Sequence, residues 1–410
     1  MPTPKPTLSI KAKPIPERTQ KFFAPCPRGL EEPLCYELER LGALHIGPTD
    51  GGVAFQGPFL LGYRVCLWSR LASRVLWQQA EAEYRHEEEI YKLAREIDWP
   101  HLFSADKTIR VQVDAIRSPV TSLEFVTLRV KDAIVDRFRA AMASRPSVDT
   151  SMPDMRIHVF LTAYKATVYL DLAGEALFKR GYRREGLSAP LRENLAAGML
   201  ALKGWHGQMP LFDPMCGSGT ILTEAAMIAM NLAPGGQRPF AFEKLRAHDA
   251  AAFSAMRAEA AAAAKPLAPG LLFGNDVSAE AVETTRRHLQ NVGGDATADA
   301  VSLTNMPMER CVAPAASGLL LTNPPYGERL NELADLKAWY PHVGTWLKKT
   351  MAGWKACFIT ADRGLPSGIG FKPSKKTPLF NGALDCRLFE FELYAGTRRV
   401  DKLQDAPAQN

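Results

Sequence analysis

The sequence predicts an α/β protein in which a doubly wound parallel sheet over residues 190–397 follows an α+β module. Three observations predict it. At 410 residues the chain is too long for one hydrophobic core and long enough for two or three. From Pro190 onward, short apolar runs alternate with helical stretches, the pattern of strands joined by crossover helices. Before Pro190 the order is mixed and includes a hairpin, which a doubly wound sheet does not use.

The first stretch, residues 1–20, is rich in Pro and Lys and poor in apolar side chains, so it is expected to be a disordered basic arm. Leu30, Leu34, Leu38 and Leu41 recur at helical spacing, and Gly42 is a natural stop. Val53 to Phe55 reads as a strand after the Gly51-Gly52 turn. Helices are expected over Phe59 to Leu71, Glu87 to Ile97 and Phe125 to Met142. Ile109 to Val113 alternates as a half-buried strand, and 157–161 with 167–172 reads as a hairpin around Ala163-Tyr164-Lys165. Phe178 to Ala189, rich in Arg and Gly, reads as a linker.

In the second half a helix is expected over Leu191 to Leu202. Strand Pro210 to Asp213 leads through a glycine loop into helix Thr220 to Met230. An Ala-rich helix over Phe242 to Ala264 reads as an insert, followed by strand Leu271 to Gly274 and helix Ala279 to Val292. Strand Gly318 to Thr322, helix Ala334 to Thr350, strand Ala356 to Thr360 and a late strand Leu388 to Tyr394 complete the pattern.

Seven scattered cysteines without a C-x-x-C pair argue against a disulfide framework or a structural zinc, and the absence of H-E-x-x-H implies no metal. No apolar run reaches the roughly eighteen residues of a membrane helix, and the N-terminus lacks the apolar stretch of a signal peptide. A soluble, cytoplasmic protein without a membrane or obligate protein partner is expected. The net charge of +6 permits an anionic partner without requiring one. Basic clusters at Lys5 to Lys21, Lys179 to Arg184 and Lys372 to Lys376 read equally well as solvated loops.

Two motifs carry chemistry. Asp213-Pro214-Met215-Cys216-Gly217-Ser218-Gly219-Thr220 sits where a strand turns into a helix. Its glycines permit a tight turn and close approach of a ligand, and amides at the helix start favour a carboxylate. Asp276 ends the next strand, where an acid accepts hydrogen bonds from ribose hydroxyls, although it could also cap the following helix. In Asn323-Pro324-Pro325-Tyr326 the prolines fix the backbone and remove donors. The Asn323 amide oxygen and the Pro324 carbonyl can then accept from an exocyclic amine, while Tyr326 offers a ring for a flipped base. Together the motifs point to methyl transfer from S-adenosylmethionine (SAM) to a ring amine.

Residues 190–394 resemble the SAM-dependent amino-methyltransferases, and most closely the THUMP-bearing guanine-N2 methyltransferases of large-subunit ribosomal RNA. The resemblance extends to Phe23-Ala24-Pro25-Cys26-Pro27-Arg28-Gly29, Gly51 to Phe55, Trp68 to Arg74, Val130 to Asp136 and Arg180 to Arg183. It implies a Rossmann-like methyltransferase domain over 190–397 and a tail over 398–410. Ahead of these it implies a ferredoxin-like module over 21–58, a THUMP-like RNA-binding domain over 59–175 and a linker over 176–189. It also implies that Asp213, Met215, Cys216, Gly217, Ser218, Gly219, Thr220, Asp276, Val277 and Asn305 hold SAM, and that Asn323 to Tyr326 hold guanine N2. Asn305 stands where the family tends to carry an acid near the adenine. Asn381-Gly382 resembles a late-strand motif without an assigned role. Large-subunit ribosomal RNA, or an assembly intermediate, is the expected partner. The alternatives are guanine N2 in transfer RNA, adenine N6 in nucleic acid, a protein glutamine, and a non-catalytic RNA-binding assembly factor.

Overall fold

The structure, a computed structural model, describes residues 19–183, 191–325 and 330–394, the side chains of 330–335 excepted. The basic arm up to residue 18, linker residues 184–189, Tyr326 and the 398–410 tail lie outside the described residues. The chain forms two compact units. One comprises Met1–Cys26, Leu30–Gly181 and Ala233–Ala263; the other comprises Pro27–Gly29, Tyr182–Leu232 and Ala264–Asn410. No described helix is long and apolar enough to cross a membrane.

The first unit is built on eight strands: β1 (Gln20–Pro25), β2 (Leu44–Thr49), β3 (Gly52–Gly57), β4 (Leu76–Glu83), β5 (Thr108–Ala115), β6 (Ser147–Val148), β7 (Met155–Leu161) and β8 (Lys165–Asp171). They form one sheet in the order β2-β3-β1-β4-β8-β7-β5-β6. The strands up to residue 58 and those within 59–175 therefore share one sheet, joined where Phe22 and Phe23 of β1 pair with Trp77 and Leu76 of β4. The sequence reading passed over β4 because only its first two residues are buried. The rest of this strand is held by pairing with β8 and by the Lys165–Glu81 ion pair at 3.3 Å. It also passed over β2, an edge strand carrying Gly47 and Pro48 whose pairing with β3 is interrupted by a register shift.

Helix Leu123–Met142 begins where Ser122 Oγ accepts from the Phe125 amide at 3.2 Å. It buries Val126, Val130, Ala133, Ile134 and Phe138, the apolar stripe seen in the sequence. Helix Glu87–Glu96 starts where Glu89 accepts from the His86 amide at 3.1 Å.

The expected Phe242 to Ala264 helix is corrected. A 3-10 turn spans Ala241–Lys244, and the α-helix runs over Ala250–Ala262. Asp249 accepts from the Ala252 amide at 2.9 Å and starts the helix there. Upstream, Phe242 stacks on Tyr63 at 3.9 Å between centroids, and burying that ring holds the turn out of the helix.

The second unit carries β9 (Leu211–Asp213), β10 (Leu272–Asp276), β11 (Ser302–Asn305), β12 (Gly318–Thr322), β13 (Trp354–Thr360), β14 (Lys375–Asn381) and β15 (Leu384–Glu392). Their order is β11-β10-β9-β12-β13-β15-β14. Strands β9 to β13 run parallel, and β15 is antiparallel to both neighbours. The chain winds outward from β9 to β11, then restarts at β12 and winds the other way. The reversal lies between β9 and β12, where a doubly wound sheet opens a crevice at the strand carboxyl ends. Phe212, Trp346, Trp354, Phe358 and Phe391 anchor the core on one side of this sheet.

Lys375 and Lys376, read from sequence as part of a basic loop, lie in β14 instead. This strand closes the sheet at an open edge, and Lys and Pro378 there discourage pairing with another chain. Asn381 ends β14, paired with Leu384, and Gly382-Ala383 is the turn to β15. Gly382 takes φ +67, and Asn381 Oδ1 accepts from the Arg192 amide at 3.3 Å, just before helix Glu193–Leu202.

Asp171 ends β8 fully buried. Its Oδ2 receives Arg74 Nη1 at 2.5 Å and its Oδ1 receives the Ala173 amide at 2.8 Å. Arg74→Ala would leave this buried carboxylate without its permanent cation, with only the His158 imidazole nearby at 3.8 Å. The expected cost is about 3 kcal/mol, read as roughly a hundredfold loss of hydrogen-exchange protection at β8 amides.

Candidate active site

The two sequence motifs meet at the reversal point. Asp213 is the last residue of β9, and Asn323 directly follows β12, the strand beside it. Thr322 Oγ1 donates to Asp213 Oδ1 at 2.7 Å, and the same oxygen accepts the Met215 amide at 3.2 Å. Asp213 is buried, and desolvation pushes its carboxyl up to about 7 against the two hydrogen bonds. Nearby Asp276 also raises it.

The loop after Asp213 is held by its own backbone. Gly217 and Gly219 adopt φ +53 and +72, a region that side chains rarely enter. A Cβ on Gly219 would also lie 2.4 Å from Thr285 Cγ2, so glycine is required there twice over. The Cys216 amide donates to the Asn275 carbonyl at 2.9 Å and the Gly219 amide to the Cys216 carbonyl at 2.8 Å. The Gly217 amide donates to Asp276 Oδ2 at 2.8 Å. Thr285 Oγ1 donates to the Gly217 carbonyl at 3.0 Å. His288 Nδ1 lies 2.8 Å from the Ser218 carbonyl. A carbonyl only accepts, so Nδ1 carries the proton, and burial lowers the imidazole's proton affinity. Cys216 is buried and burial pushes its thiol up, so its side chain is inert, while its backbone amide and carbonyl hold the loop in shape. Met215 packs its side chain against the core. Thr220, buried at the first helical position, takes a hydrogen bond from Arg183, which also pairs with buried Glu193 at 3.3 Å.

Asp276 and Asn305 end neighbouring parallel strands in register. Asp276 is not the helix cap; Ser278 is, accepting from the Ala281 amide at 3.3 Å. Asp276 Oδ1 instead accepts from the Ser278 amide at 2.9 Å, turning the chain after β10. Asn305 donates both amide hydrogens, to the Asp276 and Val277 carbonyls at 2.9 and 3.0 Å. That arrangement fixes the orientation of its amide and leaves Oδ1 as the acceptor. Val277 is 72 % exposed between these two polar groups, an apolar surface standing in water.

The sequence reading missed Asn275. It is fully buried in β10, and its Nδ2 donates to the Pro214 and Met306 carbonyls at 3.1 and 3.0 Å. Its Oδ1 accepts from Thr304 Oγ1 at 2.9 Å and the Met306 amide at 3.2 Å. One side chain thus ties the ends of β9, β10 and β11 together. An amide inside an otherwise apolar strand is the signal that could have found it. Thr322, Thr285 and His288 were also missed, since their partners are about 70 to 110 residues distant in sequence.

Asn323 is half-buried, Pro324 buried and Pro325 exposed, while Tyr326 lies outside the described residues. The residues present fit SAM. Ser218 Oγ is buried with no hydrogen-bond partner, and a Cβ on Gly217 would meet nothing within 4 Å. The loop therefore holds an unsatisfied polar atom, and at Gly217 its backbone is open to close approach. Asp276 offers a carboxylate, Val277 an apolar face and Asn305 Oδ1 an acceptor.

Comparisons with known proteins bear on the family and the fold. The RMKL-like methyltransferase domain model matches residues 180–390, the THUMP domain model 84–171 and the RlmL ferredoxin-like domain model 21–76. The ribosomal RNA large subunit methyltransferase K/L of Syntrophotalea carbinolica is 39 % identical over 389 residues, covering 91 % of this chain and 53 % of its own. The chain thus spans about half the length of the curated relatives it matches. A solved putative methyltransferase, SMU.472, complexed with SAH is 30 % identical, with a TM-score of 0.81 over 92 % of this chain and 99 % of its own. A possible methylase from Clostridium difficile 630 is 30 % identical, with a TM-score of 0.84 over 93 % and 100 %.

Two outcomes test this site. Gly219→Ala should lower the melting temperature by several degrees, because strain and overlap with Thr285 each cost about 1 kcal/mol or more. Gly204→Ala, at φ +62 in open space, should cost less. Asp213 is raised from 3.8 to about 7. Its stabilising contribution is therefore complete below the unfolded value and is lost as pH rises through the folded one. Asp213→Asn keeps the acceptor and should flatten the melting temperature between about pH 4 and 7. An unchanged slope there would mean that Asp213 is ionised throughout.

Proposed function

This chain belongs to the RMKL-like methyltransferase family, and we propose that it transfers a methyl group from SAM to the exocyclic N2 amine of a guanine in large-subunit ribosomal RNA. The observation that carries this is the Thr322–Asp213 hydrogen bond, which sets the Asn-Pro-Pro motif beside the glycine loop. The THUMP match and the relatives' printed name support RNA, and specifically the large subunit, as the target.

When bound, SAM supplies an electrophilic methyl on a sulfonium. Asp276 would accept from the ribose hydroxyls while continuing to brace Gly217. Val277 would offer its apolar face to the adenine and Asn305 Oδ1 would accept from the adenine amine. Ser218 and the helix start would hold the methionine end. The Asn323 amide oxygen and the Pro324 carbonyl accept the two N2 hydrogens. These two acceptors would orient the nitrogen lone pair and stabilise the positive charge that develops on it as the N–C bond forms and the S–C bond breaks, with SAH as the leaving group and one N2 proton passing to water. An aniline-like amine is barely basic, so orientation contributes more than a strong base would. Tyr326 supplies the stacking face for the extruded guanine.

Purified protein, SAM and ribosomal RNA from a strain lacking this gene, digested to nucleosides and analysed by mass spectrometry, should yield N2-methylguanosine. N6-methyladenosine, or no methylated nucleoside despite bound SAM, would overturn the assignment. Asn323→Ala should retain SAM affinity and lose about a hundredfold or more in turnover.

A further inference from the structure

We propose that a cleft on the first unit seats the phosphodiester backbone of the RNA substrate, with the 233–263 insert supplying half of its cations. The proposal rests on the RNA reading above. The cleft has a volume of about 310 Å³ and lies among the turn before β7, the segment after β8 and the insert. Its charged lining comprises Arg156, Lys179, Arg238 and Lys244 against Asp154 and Glu175, four positive and two negative groups.

The two carboxylates do not repel an anion unopposed, because each is already paired. Asp154 Oδ1 accepts from Lys244 Nζ at 2.7 Å. Glu175 receives Lys179 Nζ at 2.8 Å and Arg156 Nη2 at 3.2 Å. An ammonium has three donors, so Lys179 and Lys244, with side chains 60 % and 43 % exposed, keep donors for a ligand.

Two further observations mark the cleft as a binding surface. Arg238 is buried and gives its donors to the Ala176, Lys179 and Glu175 carbonyls at 2.7, 3.2 and 2.7 Å. Among the described residues no carboxylate lies within ion-pair distance of it; Glu175 and Asp171 act on its charge from further off, and its guanidinium lies 5.4 Å from the Phe240 ring centroid, so the cleft floor keeps a positive character. Arg156 Nε is likewise buried without a hydrogen-bond partner. Met152, 72 % exposed, stands beside Pro153 and Pro239 and offers an apolar wall for a sugar or base. A net positive floor with an apolar wall suits a nucleic-acid strand, which presents a charge and an apolar face at every residue.

The test uses the full chain and deproteinised large-subunit ribosomal RNA, with affinity measured against salt concentration. Lys179→Ala/Lys244→Ala should weaken binding about tenfold at roughly 0.1 M salt and reduce the log–log salt slope by about 1.4, for two lost single-strand phosphate contacts. Lys179→Arg/Lys244→Arg should restore both, and melting temperature and SAH affinity should hold in every variant. An unchanged slope in the alanine pair overturns the proposal. So does equal competition by poly-glutamate and an RNA of the same charge, since the cleft would then be a general anion site. A reduced slope in protein that makes no N2-methylguanosine would sink the reaction and leave the cleft standing.

Discussion

Thr322 donates to Asp213 across the reversal of the second sheet, and the geometry of the candidate site depends on this bond. Asp213 is buried at the end of β9, where ionisation is disfavoured and each hydrogen bond it accepts is strengthened by the low dielectric. Its carboxyl holds the first turn of the glycine loop through the Met215 amide and the end of β12 through Thr322. The glycine loop and the Asn-Pro-Pro motif, which are proposed to hold the cofactor and the amine, are thus referred to a single atom, Asp213 Oδ1. A shift of either strand would break that reference and displace one motif from the other.

Around this bond the remaining polar groups make a closed lattice. Asn275 satisfies four partners and fixes where β10 and β11 end. Asp276 ties Gly217 to the turn after β10, and Asn305 ties β11 to the same turn. Four of the loop's backbone amides are used internally before any ligand arrives. Such a site is preorganised: binding does not have to order the loop, and its free energy is available for positioning the methyl and the amine. Ser218 Oγ and Asn305 Oδ1 stand apart from the lattice, and those two atoms face the ligand in the proposed complex.

Most elements were legible because local rules and tertiary environment agree in them. Helix Leu123–Met142 carries its cap, stripe and end in its own sequence. β12 is bounded as read because five residues without a charge fill a buried central strand. Among the strands that the sequence reading passed over, three share one reason. β2 and β14 lie at sheet edges, and the outer half of β4 is open to solvent, so none shows a clean apolar pattern. The insert misled in the opposite sense. Its Ala-rich run reads as one helix, yet stacking on Tyr63 and the cap at Asp249 divide it.

The sequence by itself displayed the motifs on which the proposed chemistry rests: two glycines at a strand–helix turn, an acid at the next strand end, and an Asn-Pro-Pro-Tyr run, each with local backbone requirements that spacing reveals. The tertiary structure alone decided which atoms those residues still offer. Asn305 proved to be an acceptor because both its donors are spent, and Cys216 proved inert because it is buried. It alone also placed residues 233–263 with the first unit, and with them the cations of the cleft. The physical reason is common to all of these. Hydrogen-bond saturation, desolvation and charge balance are set by neighbours that folding brings together from roughly 30 to 110 positions away, and a local pattern carries no record of them.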